Sequence, residues 1–531
     1  MQTSLIPLTV VLIAVPVRAG AGASEAPANL FESSADLTPD GKIDGPVFRQ
    51  LKKLGIQPAK ICSDQVFVRR AYLDVIGTLP TGKEASAFLR DPKANKRRVL
   101  IDELLKRKEF AVYWAMKWSD LLRVKAEFPI NLWPNAAQAY HLWIQTSIRD
   151  NTPYDRFVRE QITASGSNFR VPPVNFYRAV QSTDPPTIAR AVALTFMGSR
   201  AEKWKKGRLE GMAGFFSHVG YKRTQEWKEE VVFFDSIKAA KDAAEGKLPE
   251  AVLPDGTSVK LSPRKDPREV FADWLIAPKN PWFARTVVNR LWCWLVGRGI
   301  VHEPDDIRPD NPPSNPELLA ALEKELVSTR YNLKHVYRLI LNSKTYQLSC
   351  VARSDDPNAA AQFAHYPIRR LEAEVLIDAL CQITGTTEQY SSRIPEPFTF
   401  IPEDRRSIAL PDGSITSSFL EMFGRPSRDT GLESERNNNP SDRQRLHMLN
   451  SSHIRLKVEQ SKKLRPLLAF GKGGPRRSVV GLYLVILSRF PTEKELKAVE
   501  AYAKSGKMKG REALMDLTWA LINSSEFLYR H

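Results

Sequence analysis

Hydrophobic residues recur at intervals of three and four along most of the chain, the spacing of a buried α-helical face. The stretch from Arg285 to Glu317 is the clearest case. Its apolar face consists of Val287, Val288, Leu291, Trp292, Leu295 and Val296. Glycines at 297 and 299 predict the end of this helix, because glycine adopts positive φ without strain. An acidic, proline-rich loop follows, and Ser314 is predicted to cap the next helix.

The same periodicity predicts many further helices, whereas the alternation typical of β-strands is almost missing. Thr81 and Glu84 have the spacing of a capping box, which predicts a helix start at that point. We therefore expect a mainly α fold. The other predicted helices cover 45–54, 62–76, 96–108, 110–125, 136–149, 157–161, 188–197, 267–277, 317–326, 333–342, 369–383, 442–450, 477–488, 493–503 and 511–524.

At 531 residues the chain is too long for one ordinary core, so two helical domains are predicted. The helical pattern of apolar residues is interrupted over residues 237–265. A Pro-Asp-Gly turn between short apolar runs predicts a small β-hairpin there. This segment is interpreted as a linker between an N-terminal domain, 24–236, and a C-terminal domain, 266–531. Long irregular loops at 395–416 and 424–440 are candidates for function.

The first residues resemble a secretory leader. The apolar run from Leu5 to Val17 is too short to span a bilayer comfortably, and small residues follow it. We predict a signal peptide over 1–23 and a periplasmic or secreted protein. No later stretch is apolar for long enough to predict a transmembrane span.

The net charge of +18 favours acidic partners. Exported proteins seldom meet nucleic acid, so an anionic glycan or a partner protein is expected and nucleic acid is not. The alternative, a solvated basic surface without a specific partner, stays open. The four cysteines form no C-x-x-C pair, and either disulfides or buried free thiols fit them.

The main candidate site joins the central helix to the acidic loop. An Asn-Arg helix facing an Asp-Asp loop has two interpretations: the charges lock the loop to the helix, or they bind a ligand and act as acid and base. The candidate ligand-binding residues are Arg285, Asn289 and Arg290, and the candidate catalytic residues are His302, Asp305 and Asp306.

A second candidate set follows the helix at 369–383. Arg370, Glu374 and Asp378 recur every four residues, and they either pair with Arg425 and Arg428 of the long loop or face solvent. No two histidines have the i, i+4 spacing of a zinc pair, so neither a metal nor another cofactor is predicted. Trp133, beside a proline, is the tryptophan most expected to be exposed, where it could stack on a sugar.

Several long motifs, in a fixed order, resemble planctomycete-type secreted proteins of unknown function. These proteins carry a cytochrome-associated N-terminal domain and a planctomycete-specific C-terminal domain in tandem. The N-terminal motifs are VRRAYLDVIGTLPTGKEASAFL (68–89), YWAMKWSDLLRVK (113–125) and NTPYDRFVREQI (151–162). The C-terminal motifs include NRLWCWLVGRGIV (289–301), PSNPELLAALEKEL (313–326), YPIRRLEAEVLIDAL (366–380) and LYLVILSRFPTEKEL (482–496).

Many such relatives carry a C-x-x-C-H haem-attachment motif where this chain reads SRAEKWKKGRLEGMAGFF (199–216). That stretch has no cysteine and no histidine, and covalent c-type haem needs both. Lys203, Lys205, Lys206 and Arg208 stand there instead, either as an anion site or as an exposed loop. We therefore expect an exported, non-redox binding protein without haem. The alternatives are a hydrolase or lyase of acidic or sulfated polysaccharide, and an electron-transfer protein like the haem-bearing relatives.

Overall fold

The computed structural model of the chain describes residues 30–35, 37–39, 41–468, 474–505 and 510–531. The predicted signal peptide lies outside these residues. Within them the protein is mainly helical, as predicted. The helices of the first half are α1 (Gly41–Leu54), α2 (Asp64–Ile76), α3 (Gly82–Arg90), α4 (Lys96–Leu104), α5 (Lys108–Leu121), α6 (Pro134–Arg149), α7 (Tyr154–Ile162), α8 (Asn175–Arg178), α9 (Pro185–Met197), α10 (Arg208–Ala213) and α11 (Ser236–Ala244).

The second half continues in the same style, with longer loops between its helices. Its helices are α12 (Pro267–Leu275), α13 (Phe283–Val296), α14 (Pro316–Ser328), α15 (Leu333–Asn342), α16 (Ala373–Thr384), α17 (Ser418–Met422), α18 (Asp442–Asn450), α19 (Ser452–Glu459), α20 (Arg465–Leu468), α21 (Gly474–Ile486), α22 (Glu493–Lys504), α23 (Arg511–Ile522) and α24 (Ser525–Leu528). No helix of the described ranges is both long enough and apolar enough to cross a membrane.

Three small antiparallel sheets complete the fold. β2 (Val219–Arg223) and β3 (Glu230–Phe234) form a hairpin, and β1 (Gly166–Ser167) pairs with the far side of β3. β4 (Ala251–Val252) and β5 (Ser258–Val259) form the hairpin predicted at the linker. β6 (Arg369–Arg370) pairs with β7 (Tyr529–Arg530), which brings the end of the chain against the start of α16. The three-stranded sheet was not predicted.

Capping residues recognised in the sequence can be compared with the helix ends of the structure. Thr81 and Glu84 form the predicted capping box at the start of α3. The predicted cap of α14 was wrong by one residue, because the side chain of Asn315, not Ser314, accepts the Leu318 N–H. All four cysteines are free thiols, so the disulfide alternative is not seen.

Tryptophans pack the central helix α13 against α5. The Trp294 ring lies 5.6 Å from the Trp114 ring and 5.7 Å from the Trp118 ring, and all three are buried. Buried aromatic rings of this size contribute more to core packing than any aliphatic side chain. One continuous hydrophobic core therefore includes residues of both predicted domains, from Ile43 to Phe527. The boundary at 237–265 stays a prediction.

Candidate functional site

The Asp305 carboxylate lies in the interior of the protein. Its Oδ1 atom accepts a hydrogen bond from Arg290 Nη2 at 2.6 Å, and the two side chains are 2% and 0% exposed. Its Oδ2 atom accepts the Glu433 N–H at 2.6 Å. Arg290 also donates to the carbonyl oxygens of Leu194 and Thr195 in α9. This ion pair therefore holds together α13, the acidic loop and α9.

The neighbouring residues of the first candidate set are engaged in the same way. Asn289 donates to the Val301 carbonyl and accepts the Val301 N–H, both at 2.9 Å. Arg285 forms a half-exposed pair with Glu323 at 2.7 Å. These contacts favour the interpretation in which the charges lock the loop to the helix.

Asp306 and His302 lie nearer the surface. Burial alone would raise the pKa of Asp306, but Lys203 and Arg308, each 3.1 Å away, lower it overall. The pKa of His302 is lowered by burial and by the positive charge of Arg298. The carboxylates of Asp305 and Asp306 therefore bind different partners. Their catalytic role stays an untested prediction.

The second candidate set lies in a buried network of arginines and carboxylates. Arg436 binds Glu374 with two hydrogen bonds of 2.7 and 3.0 Å, and Arg425 Nε lies 3.4 Å from the same carboxylate. Asp120 of α5 accepts from Arg428 at 2.9 Å and from Arg436 at 2.7 Å. We call these five residues the arginine network. It joins α5 to α16 and to the loop at 424–440.

Arg370 and Asp378 are likewise bound within the protein. Arg370 donates to the carbonyl oxygens of Phe423, Asn437 and Asn438, which fixes the long loop against β6. Asp378 accepts the N–H groups of Ser407 and Ile408. Arginine bound by several carbonyls is a typical way to order an irregular loop.

Because of the arginine network, we expect the free energy of unfolding to fall in acid. Burial raises the pKa of Glu374, but Arg436 and Arg425 outweigh this effect and lower it to about 2, from an ordinary 4.5. A depressed pKa contributes stability above the unfolded value, and this stability is lost as the pH falls through the folded value. We therefore expect the free energy of unfolding to fall between pH 4.5 and pH 2, measured by urea denaturation at each pH.

The matched control is Glu374→Gln, which removes this titration. Its free energy of unfolding should change less steeply over the same pH range than that of the wild type. Parallel profiles for the two proteins would contradict the assignment of the acid transition to Glu374.

A ligand-sized groove lies elsewhere, on the surface of the first half. Two hollows of about 480 and 350 Å³ share Asn131 and Arg178 in their walls, and we call the combined feature the groove. It lies between the loop that joins α5 to α6, the segment after α8, and the β2–β3 hairpin. Its uncharged polar lining includes Asn131, Tyr177, Gln181, Ser182, Thr183, Tyr221, Thr224 and Gln225. Its charged lining consists of three cations and three carboxylates: Arg178, Arg223, Lys228, Glu226, Glu229 and Glu230.

Exposed aromatic rings stand beside the groove. Phe128 is 84% exposed and Trp227, at the hairpin turn, is 70% exposed. The ammonium group of Lys228 lies 5.5 Å from the Trp227 ring and 5.8 Å from that of Trp133, a cation–π arrangement with both. Trp133 also contacts the half-exposed Phe398 at 5.3 Å between ring centroids. Apolar side chains that are exposed together in one patch, unlike those scattered singly, mark interaction sites.

The backbone around the groove is unusual. Asn131, Trp133, Gln181 and Lys228 have φ between 58° and 73°. This left-handed conformation is uncommon for residues other than glycine, and is least expected for a residue as large as tryptophan. Strained residues of this kind cluster at ligand-binding sites, where the surrounding structure holds them in place.

Two polar groups of the groove have no partner among the described residues. Tyr221 Oη and Arg178 Nε are inaccessible to solvent and make no hydrogen bond there. Arg178 is otherwise held by Glu230, at 2.6 Å from its Nη1 atom. Burial raises the pKa of Tyr221, so its hydroxyl stays protonated and able to donate.

The sequence pointed to Trp133 as the most exposed tryptophan, but Trp133 is half-buried and lines neither hollow. It missed Phe128 and Trp227, which line the groove and are far more exposed. Both missed residues stand in segments without hydrophobic periodicity, so no face could be assigned to them. The sequence does carry a signal for the exposure of Trp227, which is a lone aromatic residue in the charged turn TQEWKEE. A large apolar side chain in such a turn cannot join a core and must lie at the surface.

Within the described part of the chain, no group of three or more His, Cys, Asp or Glu side chains is placed to hold a metal ion. His447 and His453 lie with ring centroids 5.8 Å apart, and His453 pairs with Glu388 at 2.9 Å.

Comparison with family models identifies both halves of the chain. Residues 42–207 match PSCyt2, a protein of unknown function (DUF1549), and residues 267–503 match PSD1, a protein of unknown function (DUF1553). Comparisons with curated proteins and with solved structures find no significant match. The chain therefore belongs to the planctomycete-type proteins of unknown function in which a PSCyt2 domain and a PSD1 domain stand in tandem.

Proposed function

We propose that the protein is exported and binds an acidic polysaccharide in the groove, without redox chemistry. The observation that carries the proposal is the set of exposed aromatic rings beside a groove lined by amide, hydroxyl and guanidinium groups. The leader-like run at 5–17 supports export. Polysaccharides are the polymeric anions that an exported protein meets most often.

The chemistry of the groove suits a sugar chain. One face of a pyranose ring carries C–H groups and packs on the electron-rich face of an aromatic ring, a role for Trp227 and Phe128. The ring hydroxyls need both donors and acceptors, which amides such as Asn131 and Gln181 supply in fixed directions.

Two cations unpaired among the described residues, Arg223 in the lining of the groove and its neighbour Lys222, favour an acidic sugar over a neutral one. Lys222 and Arg223 are exposed on β2 and form no ion pair with any described residue. The carboxylates of Glu226 and Glu229 already lie near Arg170, at 3.2 and 3.8 Å. Carboxylate or sulfate groups of a bound polymer would therefore meet free positive charge.

We expect Trp227→Ala to weaken binding of a sulfated or uronic-acid polysaccharide by about tenfold, since stacking on one aromatic ring contributes ~1–3 kcal/mol. The stability of the protein should change by less than about 0.5 kcal/mol, because Trp227 is 70% exposed. Titration calorimetry against both polymers and thermal unfolding measure the two effects.

Tyr502→Ala is the matched control, because Tyr502 is another partly exposed aromatic residue, on α22 and outside the groove. This variant should bind as the wild type does. A neutral polysaccharide and single-stranded DNA complete the panel. Equal affinity for the neutral polymer would contradict the role of charge, and tighter binding of DNA would replace a glycan by a nucleic acid as the ligand.

A further inference from the structure

A second cleft, of about 360 Å³, is lined in part by Val180 of the segment that joins α8 to α9, and we call it the arginine cleft. Arginines from three places line it: Arg123 directly after α5, Arg190 within α9, and Arg200 just beyond α9. Thr187 and Thr430 place hydroxyl groups in the same wall. The cleft therefore combines residues of the first half with the loop at 424–440.

Arg123 is the unusual member of this set. Its Nε atom is inaccessible to solvent and has no hydrogen-bond partner, and its guanidinium forms no ion pair within the described ranges. Burial lowers its pKa to about 10, although the negative charge of Glu435 acts in the opposite direction. Arg123 is half-buried, with its Nε atom closed to solvent. Even partial burial of a guanidinium without a carboxylate beside it is uncommon, because the unpaired charge is costly.

The nearest carboxylate does not supply the missing partner. Glu435 accepts hydrogen bonds from Ser427, from the N–H of Asp429, and from both the N–H and the hydroxyl of Thr430. These four donors occupy both of its oxygens. Glu435 therefore orders its own loop and is not available to Arg123.

The other two arginines also keep unused donors. Arg190 donates to the Thr187 hydroxyl at 2.8 Å and forms no ion pair with a described residue. Arg200 pairs with Glu303 at 3.0 Å near the surface, while its Nε atom is buried without a partner. The carboxylate in the lining is that of Glu202, so three positive charges face one negative charge.

The backbone is shaped to hold Arg123 in this position. Arg123 itself has φ of 55°, a left-handed conformation uncommon outside glycine. Gly431, with φ of 71°, lies against its side chain. A Cβ atom on this glycine would come within 3.3 Å of Arg123 Cγ and 2.9 Å of the Leu121 carbonyl oxygen. Glycine at 431 therefore leaves the space that the Arg123 side chain needs.

We infer that this cleft is a binding site for a sulfate or phosphate group carried by a larger molecule. Arginine forks bind tetrahedral oxyanions with paired, charge-assisted hydrogen bonds. The volume exceeds that of a free ion, which leaves room for the molecule that carries the anion. The inference is independent of the proposed function, because it uses none of the residues of the groove.

The test uses the full-length protein and the variant Arg123→Met, which keeps the length of the side chain and removes its charge. Inorganic sulfate and inorganic phosphate, at a few millimolar and constant ionic strength, should raise the melting temperature of the wild type. Acetate at the same concentration should raise it less. The variant should lose the response, with an affinity at least about tenfold weaker by calorimetry.

A second readout separates an anion site from a structural arginine. Without ligand, Arg123→Met should melt at the same temperature as the wild type or higher, since an unpaired buried charge has been removed. Arg156→Met, at a 71% exposed arginine outside the cleft, should keep the full response. A ligand-free variant that melts lower and still responds to sulfate would overturn the inference, as would equal binding of acetate.

Discussion

Replacing Glu374 by glutamine is expected to lower the free energy of unfolding by about 3–5 kcal/mol. Glu374 is fully buried, and its carboxylate is bound by Arg436 through two hydrogen bonds and approached by Arg425. Glutamine has the same shape but no charge, so these two buried guanidiniums would lose one of the two carboxylates that neutralise the arginine network. The loss is measured by urea denaturation monitored by circular dichroism.

Glu323→Gln is the matched control, because it removes a carboxylate from an arginine at the surface. The Arg285–Glu323 pair has an N–O distance of 2.7 Å, but its side chains are 38% and 24% exposed. Water replaces the lost interaction there, so a change of less than about 1 kcal/mol is expected. A similar loss of stability in both variants would mean that burial does not determine how much the arginine network contributes to the free energy of unfolding.

The helices could be predicted from the sequence because their signals are local. The apolar face of α13 and the capping box of α3 both depend on residues within a few positions of one another. The β1–β3 pairing could not be predicted in this way, because Gly166 pairs with Val232, far along the chain. Strands of two to five residues also give too short an alternation to recognise.

The same distinction applies to the sites. Arg290 and Asp305 are close in the sequence, the first within α13 and the second in the loop that follows it, so their pairing could be proposed. Asp120, in contrast, meets Arg428 and Arg436 from a position more than 300 residues away, and no pattern marked it. The groove and the arginine cleft are each assembled from three or more separate stretches. Recognising them needed the positions of the side chains in space.

The adjacent carboxylates Asp305 and Asp306 are expected to lose very different amounts of stability on the same substitution. Asp305→Asn leaves Arg290, with a fully buried side chain, without a negative partner and should lower the free energy of unfolding by about 3–5 kcal/mol. Asp306→Asn weakens contacts with Lys203 and Arg308, which are 44% and 37% exposed, and should cost less than about 1 kcal/mol. Denaturant unfolding of both variants beside the wild type measures the difference.

This comparison also separates a structural lock from a catalytic pair. Carboxylates held in an active site usually destabilise the fold, so replacing them leaves stability unchanged or raises it. An Asp305→Asn variant as stable as the wild type would therefore contradict the lock and favour a site for chemistry at the acidic loop. A large loss at Asp305 together with a small one at Asp306 would assign the first carboxylate to the architecture that joins α13 to α9. The same result would identify the Asp306 carboxylate as a surface charge beside Lys203.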